Sequence, residues 1–438
     1  MAGKRVMVVG LGTSGLAAAR FLHAGGAKLT LTDKRDDVRR DLLPPAELRL
    51  GAEDPSWLTG IDLVVTSPGV PRDSVLLRTA RASKIPVIGE MELASRFLDA
   101  PMIAITGTNG KSTVTVMLGD ILKAAGKRVF VGGNLGKPLV EAVGPKYDAL
   151  VVEVSSFQLE WIETFRPYVG VHLNLTDDHF ERYRDIEDYG RAKARLFENQ
   201  TASDWAILNR DDRQVWKLAS SVPSRVIGFS LDGQERPSAI WHETNALDFD
   251  IADRRGRIAL KNYRIPGRHN IANAMAAAAA AVALGAEETA IENALARFSP
   301  LPHRIELVRE KDGVRFVDDS KGTNVGAAVE AIEGFDPPVI LIAGGLDKGG
   351  DYAPLRAPLR RKVKHAIFIG AAREKMSAAL CGATEIEMVA TLKEAVLRAA
   401  RIAQRGDTVL LSPACSSFDQ FRDYAERGNL FKELVRAL

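Results

Sequence analysis

Residues Ala100 to Thr113, APMIAITGTNGKST, constrain the chain more than any other stretch. Met102 to Thr106 is a short apolar run that predicts a buried strand. Gly107-Thr108-Asn109-Gly110 follows, then Lys111-Ser112-Thr113, and Val114 to Ala125 has helical spacing. Strand, glycine turn, Lys-Ser/Thr and helix is the layout of a phosphate-binding loop. Glycines let the backbone curl until several N–H groups face one oxyanion. Lys111 adds a charge for the β/γ phosphates, Ser112 or Thr113 offers a hydroxyl to Mg²⁺, and the helix N-terminus adds partial positive charge. The general pattern G-x-x-x-x-G-K-[ST] wants a glycine five residues before Gly110, and Ile105 stands there. The plain alternative is a glycine turn with a solvated lysine.

A chain of 438 residues is too long for one core and predicts two to four domains. Its 59 basic and 56 acidic residues leave a net charge of +3, a balance that argues against a general nucleic-acid binder. Cys381 and Cys415 are too few for a disulfide framework or a cysteine-rich zinc site. The first apolar run, in MAGKRVMVVGLG, is short and broken by glycines, so it reads as a strand. No later run is long enough to span a membrane, and a soluble cytoplasmic protein is expected.

Before the phosphate loop, Arg5 to Val9 reads as a strand, followed by Gly10-Leu11-Gly12-Thr13-Ser14-Gly15 and an alanine-rich helix. Lys28 to Thr32 is the next strand and ends on Asp33, eighteen residues past Gly15. That is a dinucleotide fingerprint, which on its own predicts an NAD-type site; glycines that merely allow close helix–strand packing explain it as well. Ile61 to Thr66 leads into Ser67-Pro68-Gly69-Val70-Pro71. The loops after Val9, Thr32 and Thr66 sit at strand carboxyl ends and could converge on one anionic ligand, with Arg35 as a phosphate partner.

After the phosphate loop, Tyr147 to Val154 places Glu153 near a strand end, where many NTPases hold Mg²⁺. Val169 to Leu175 repeats the device and ends in Thr176-Asp177-Asp178-His179. Gly132-Gly133-Asn134-Leu135-Gly136 is a tight glycine loop. Tyr189 to Asn199 looks helical with Lys193 inside it, and periodicity does not single that lysine out. Pro266 to Leu284 contains an alanine-rich helix with Asn270 and Asn273 on one face; two such amides could read a base edge or cap backbone. Phe298 to His303, FSPLPH, marks a boundary. Beyond it βα alternation restarts, with strands at Val314 to Val317, Val339 to Ala343, Ala366 to Gly370, Ile386 to Ala390 and Thr408 to Ser412. The polar loops between them run Asp318 to Asn324, Gly344 to Lys348 and Ser412 to Asp419.

The tokens ITGTNGKST, VEVSSFQLE, HLNLTDDHFERY, YGRAKARLFEN, LPHRIE, DDSKGTN and LLSPACSSFDQF together resemble the Mur ligase family, ATP-dependent amide-forming enzymes of peptidoglycan precursor synthesis. The last two tokens are similar to the branch that adds D-glutamate to UDP-N-acetylmuramoyl-L-alanine, and the resemblance covers essentially the whole chain. It implies an α/β protein of three domains: an N-terminal Rossmann-like domain (1–89) for the UDP substrate, a central P-loop ATPase-like parallel-sheet domain (90–299) for ATP, and a C-terminal Rossmann-like domain (300–438) for the amino acid. Ser14, Asp33, Lys34, Arg35, Ser67 and Gly69 then fall at uridine and diphosphate, with Asn134 near the same substrate. Gly107, Thr108, Asn109, Gly110, Lys111, Ser112 and Thr113 fall on ATP, as do Asn270, Asn273, Arg304 and Asp319. Lys111, Glu153, His179 and Lys193 fall at the chemistry, and Ser112, Glu153, His179 and Lys193 around two Mg²⁺ ions, with Lys193 carbamylated. Lys321, Thr323, Lys348, Ser417, Phe418 and Tyr424 line the D-glutamate pocket. A monomer without nucleic-acid or membrane partners is implied.

Three rivals stand beside this reading. One is a family member adding a different amino acid or joining glutamate to a folate. Another is a nicotinamide-dependent oxidoreductase built on Gly10 to Gly15 and Asp33, which leaves the phosphate loop and Glu153 unexplained. The third is a nucleotide-binding regulator that makes no ADP.

Overall fold

The computed structural model describes residues 1–232, 239–251, 253–265, 267–299 and 301–438; Pro266 and Pro300, within two of the sequence signals above, lie outside the described residues. Three sheets follow one another along the chain. In the first, five parallel strands are ordered Glu47–Leu50, Lys28–Asp33, Arg5–Val9, Leu63–Thr66, Val87–Gly89. The order reverses beside Arg5–Val9, and the glycine turn leaves that strand's carboxyl end, the place where open α/β sheets take ligands. A methyl group on Gly15 would lie 1.9 Å from the Gly10 carbonyl oxygen, so this glycine is fixed by helix–strand approach.

The second sheet has nine strands, ordered Arg254–Ala259, Ala246–Ile251, Ala239–Glu243, Arg225–Ser230, Trp205–Asn209, Val169–His172, Met102–Thr106, Ala149–Glu153, Val129–Gly133. Six of these, from Arg225–Ser230 to Val129–Gly133, are parallel to one another, and Ala239–Glu243 joins them in parallel. Ala246–Ile251 and Arg254–Ala259 add on through antiparallel pairings and extend the parallel sheet anticipated from the sequence. In Ala246–Ile251 aspartates alternate with buried Leu247, Phe249 and Ile251, the pattern of a sheet with one wet face. The helix Arg268–Ala283 is wholly buried from Ala274 to Ala281, and its run of methyl side chains, broken only by Met275, lets it lie close to the phosphate-loop helix Lys111–Ala124 and the sheet.

The third sheet is ordered Glu306–Lys311, Val314–Asp318, Thr408–Leu411, Val339–Gly344, Val363–Ile369, Glu385–Met388. Its first strand is antiparallel, has no fully buried residue and was not anticipated from the sequence. Several predicted strands are shorter than expected. The strand from Val169 stops at His172, and Leu63 replaces Ile61 as a start. The predicted helix Tyr189 to Asn199 begins at Ile186, capped by Asp185, and tightens to a 3-10 turn after Ala194. Among the described residues, no helix is long and apolar enough to cross a membrane.

Candidate active site

The phosphate loop joins the strand Met102–Thr106 to the helix Lys111–Ala124. Gly110 sits at φ +83, and a methyl group there would lie 2.4 Å from Asn273 Oδ1. Glycine is required on both counts. The loop is pinned from beneath: Asn109 N donates to Asn174 Oδ1 at 2.8 Å, and Thr176 N donates to Thr108 Oγ1 at 3.0 Å. Lys111 curls back, its Nζ donating to the carbonyls of Gly107 at 2.9 Å and Thr108 at 2.8 Å. Burial lowers the pKa of Lys111, against the opposing pull of Glu153 and Asp178.

Glu153 ends its strand beside this loop. Its Oε1 accepts from Asn134 Nδ2 at 2.8 Å, while Oε2 is buried without a hydrogen-bond partner. Burial alone would favour the neutral acid, but the Lys111 charge and the hydrogen bond from Asn134 outweigh it and hold the carboxyl below its usual range. A buried carboxylate oxygen with an open lone pair, next to the Ser112 hydroxyl, is a hard-oxygen donor set that fits Mg²⁺. Asn134 thus stands on Glu153, away from the uridine-side cavity.

Lys193 is the most buried cation of the site. Its Nζ donates to the Gly107 carbonyl at 2.8 Å and lies 4.4 Å from the centre of the Tyr189 ring. Burial, then the neighbouring Lys111 charge, pushes its pKa well down. His179 occupies a left-handed conformation, φ +59, at the end of the TDDH run. Its Nδ1 lies 3.0 Å from Glu181 Oε1, and its ring packs 4.8 Å from that of Phe157. A non-glycine residue held there is strained, as residues at functional sites often are.

The third domain closes over this loop. Lys321 Nζ donates to Ser112 Oγ at 3.0 Å, and Lys348 Nζ donates to Asp178 Oδ1 at 3.0 Å. Asn324 and Asn109 exchange side-chain amide bonds of 3.0 and 3.3 Å, and Asn324 Nδ2 also reaches Asp178 Oδ2 at 3.2 Å. Burial, reinforced by Arg304, brings the Lys321 ammonium down to about 8. A cavity of about 290 Å³ lies between the two domains. Asn109, Gly110, Thr113, Asn270, Asn273, Arg304 and Asp319 line it, so it gathers most of the residues anticipated for ATP. Asn273 Nδ2 donates to Asn270 Oδ1 at 3.3 Å, and Arg304 Nε is buried without a hydrogen-bond partner. Burial raises Asp319 to about 7, although Ser412 Oγ donates to it at 2.7 Å.

The amino-acid residues anticipated from the sequence divide. Thr323 and Lys348 line a small cleft of about 20 Å³ with Asp178, and Lys321 lies 5.2 Å from the Tyr424 ring centre. Ser417 is buried, whereas Phe418 is 69% exposed. Ser14, Asp33, Lys34, Arg35, Ser67 and Gly69 line a separate cavity of about 480 Å³ in the first domain. There Asp33 accepts from Leu11 N at 2.8 Å and pairs with Arg35, so its carboxylate is engaged by protein on both oxygens. Sequence reading assigned no role to Asp178, Asn324, His269 or Glu330, all of which face the two inter-domain spaces. The cap position of Asn324, before the helix Val325–Glu333, was a usable signal. His269 and Glu330 carried none, since each sits inside a helical pattern.

Comparison with known proteins adds the following. Residues 4–89 match a family model described as Mur ligase MurD-like, N-terminal domain; 105–281 match the Mur ligase middle domain; 303–415 match the Mur ligase glutamate ligase domain. Two similar relatives, from Geotalea uraniireducens and Geotalea daltonii, both bear the name UDP-N-acetylmuramoylalanine--D-glutamate ligase. The first is 46% identical over 99% of this chain and 98% of its own; the second is 47% identical over 100% and 98%. In fold the chain is similar to a pseudomurein peptide ligase type C from Methanothermus fervidus, with TM-score 0.62, 21% identity and coverage of 99% and 100%. It is also similar to the UDP-N-acetylmuramate-alanine ligase MurC of Thermotoga maritima, with TM-score 0.60, 17% identity and 99% coverage of both chains.

Proposed function

The chain belongs to the Mur ligase family, and from that premise we propose that it joins D-glutamate to UDP-N-acetylmuramoyl-L-alanine with conversion of ATP to ADP. One observation carries the reading at the level of geometry. Lys321 and Lys348, from the loops of the third domain, end on Ser112 and Asp178 beside the phosphate loop. An activated carboxyl formed at that loop would meet whatever amine those loops hold.

The domain limits follow the sheets: 1–89 for the UDP substrate, 90–299 for ATP, 300–438 for the amino acid. In the first step the substrate carboxylate attacks the γ-phosphorus, an acyl phosphate forms and ADP leaves. In the second the D-glutamate amine attacks the acyl carbon and phosphate leaves. Lys111 and the amides at the start of its helix neutralise charge on the transferring oxygens, and little covalent work falls to the protein. Arg304, with its unpartnered Nε, and the Asn270–Asn273 pair hold the nucleotide in the cavity. Lys321, Thr323, Lys348, Ser417, Phe418 and Tyr424 receive the amino acid, and Lys321 and Lys348 bring its carboxylates their counter-charges.

Glu153, Ser112, His179 and Lys193 would hold two Mg²⁺ ions, which supply charge neutralisation and alignment of the phosphates when bound. Lys193 serves as a carbamate in this reading. Support comes from its burial: only a neutral amine adds CO₂, and burial, with the Lys111 charge beside it, shifts this lysine toward that form. Conversion to an anion also replaces repulsion from Lys111 with attraction. In the first domain Arg35 and Lys34 receive the diphosphate, with Ser14, Asp33, Ser67 and Gly69 around it and Asn134 on the path toward Glu153. The reading extends to a cytoplasmic monomer.

The deciding experiment is ADP release with UDP-N-acetylmuramoyl-L-alanine, ATP and Mg²⁺, comparing D-glutamate, L-glutamate, L-alanine and diaminopimelate. Release with D-glutamate alone is expected. Release with another amino acid moves the chain within its family, and no release with any of them overturns the reading.

A further inference from the structure

Two polar side chains beneath the phosphate loop have nothing to bond. Thr106 Oγ1 and both ring nitrogens of His172 are buried and lack hydrogen-bond partners among the described residues. Thr106 and His172 are register partners on adjacent parallel strands, so their side chains rise from the same face of the sheet. That face also carries Ala104, Val152 and Leu208, and it is covered by Tyr189 and Phe197. A methyl group on Gly170, two residues before His172, would touch the Phe197 ring at 2.7 Å. The helix that covers this face delivers Lys193, whose Nζ reaches the Gly107 carbonyl, one residue beyond Thr106. Three unpaired polar atoms therefore lie on the sheet face that this helix covers, next to the residue whose carbonyl the lysine reaches. Such atoms are rare in folded proteins and call for a partner.

We propose that Thr106 and His172 are positioning residues for a carbamate on Lys193. The Thr106 hydroxyl and one His172 ring N–H donate to one carbamate oxygen, the carbamate N–H keeps its bond to the Gly107 carbonyl, and the other oxygen faces the metal site. The inference rests on the carbamate reading given above. The chemistry balances with CO₂ as co-reactant: the amine lone pair forms the N–C bond, one C=O pair becomes the carboxylate's, and the proton lost from nitrogen goes to solvent. Two neutral donors suit this anion. They stabilise it without competing for it as a cation would, and they select the rotamer that presents the free oxygen.

The test is ¹³C NMR of the full-length enzyme during titration with ¹³C-bicarbonate, in wild type, T106V, H172L, H172Q and K193A. The expected result is one carbamate resonance, absent in K193A, whose half-saturating bicarbonate rises about tenfold in T106V and in H172L. H172Q, which keeps an amide donor, recovers part of that shift. In steady state T106V and H172L regain activity at high bicarbonate with an unchanged KM for D-glutamate, which a general folding defect would not give. A wild-type resonance whose midpoint is unmoved in T106V and H172L overturns this inference and leaves the carbamate intact, a buried water being then the partner of these atoms. No resonance in wild type overturns both. Should H172L fail to fold, T106V and H172Q decide.

Discussion

The chain builds the same device twice and uses it differently. Arg5–Val9 and Met102–Thr106 both end in a glycine turn that opens a helix. Around the first turn the cations stay in water: the side chains of Lys34 and Arg35 are each 63% exposed. Around the second, Lys111 and Lys193 are buried, and their pKa values fall. A turn that only grips a ligand keeps its charges hydrated and exchangeable. A turn that moves a phosphoryl group withdraws them from water, where each charge acts far more strongly on the reacting atoms. One motif therefore carries two meanings, and the solvation of its neighbours tells them apart.

Substitutions on the two sides sharpen this contrast. Lys111→Ala removes the charge at the dry turn and is expected to lower kcat by about a thousandfold or more, read as acyl-phosphate formation or ADP release. Retention of normal turnover would erase the distinction. Lys193→Ala is expected to lower kcat by about a hundredfold, with partial recovery on adding formate or acetate, whose oxygen would replace the carbamate's. Lys321 gives a pH-dependent version: its ammonium is charged below about 8 and neutral above. The KM for D-glutamate is therefore expected to climb about tenfold per pH unit above that point, and Lys321→Met should flatten the profile. Arg35→Ala, at the wet turn, is expected to do least, raising the KM for the UDP substrate about tenfold with kcat unchanged. A fall in kcat of the same size as at Lys111 would refute the comparison.

Much of this was legible in the sequence, for reasons that differ by element. The strand Met102–Thr106 and its glycine turn were plain because apolar run, glycines and Lys-Ser follow one another without interruption. The antiparallel strands Ala246–Ile251 and Arg254–Ala259 were not anticipated, since their alternating charges read as surface loop until a partner strand pairs them. Lys193 could not be picked out by periodicity, because its helix exposes Arg191 two positions away and only the sheet beneath makes this lysine dry. The dinucleotide fingerprint was read correctly as a pattern and ambiguously as a site. Packing explains Gly15, and the Asp33 carboxylate is spent on Leu11 and Arg35. Asp178 and Asn324 stood inside quoted motifs, yet their value lies in a contact between residues 146 positions apart, which no local pattern encodes.

That span has a further consequence. The amide exchange between Asn109 and Asn324 joins positions 215 apart, and the Lys321–Ser112 bond joins positions 209 apart. Neither bond exists until two separately built cores are complete and have met. On heating, such a seam gives way at a lower temperature than either core, because it is held by a few polar bonds at the edge of a solvent-facing cavity. Catalysis should therefore vanish several degrees before circular dichroism records any loss of helix, and cooling from that interval should restore it in full.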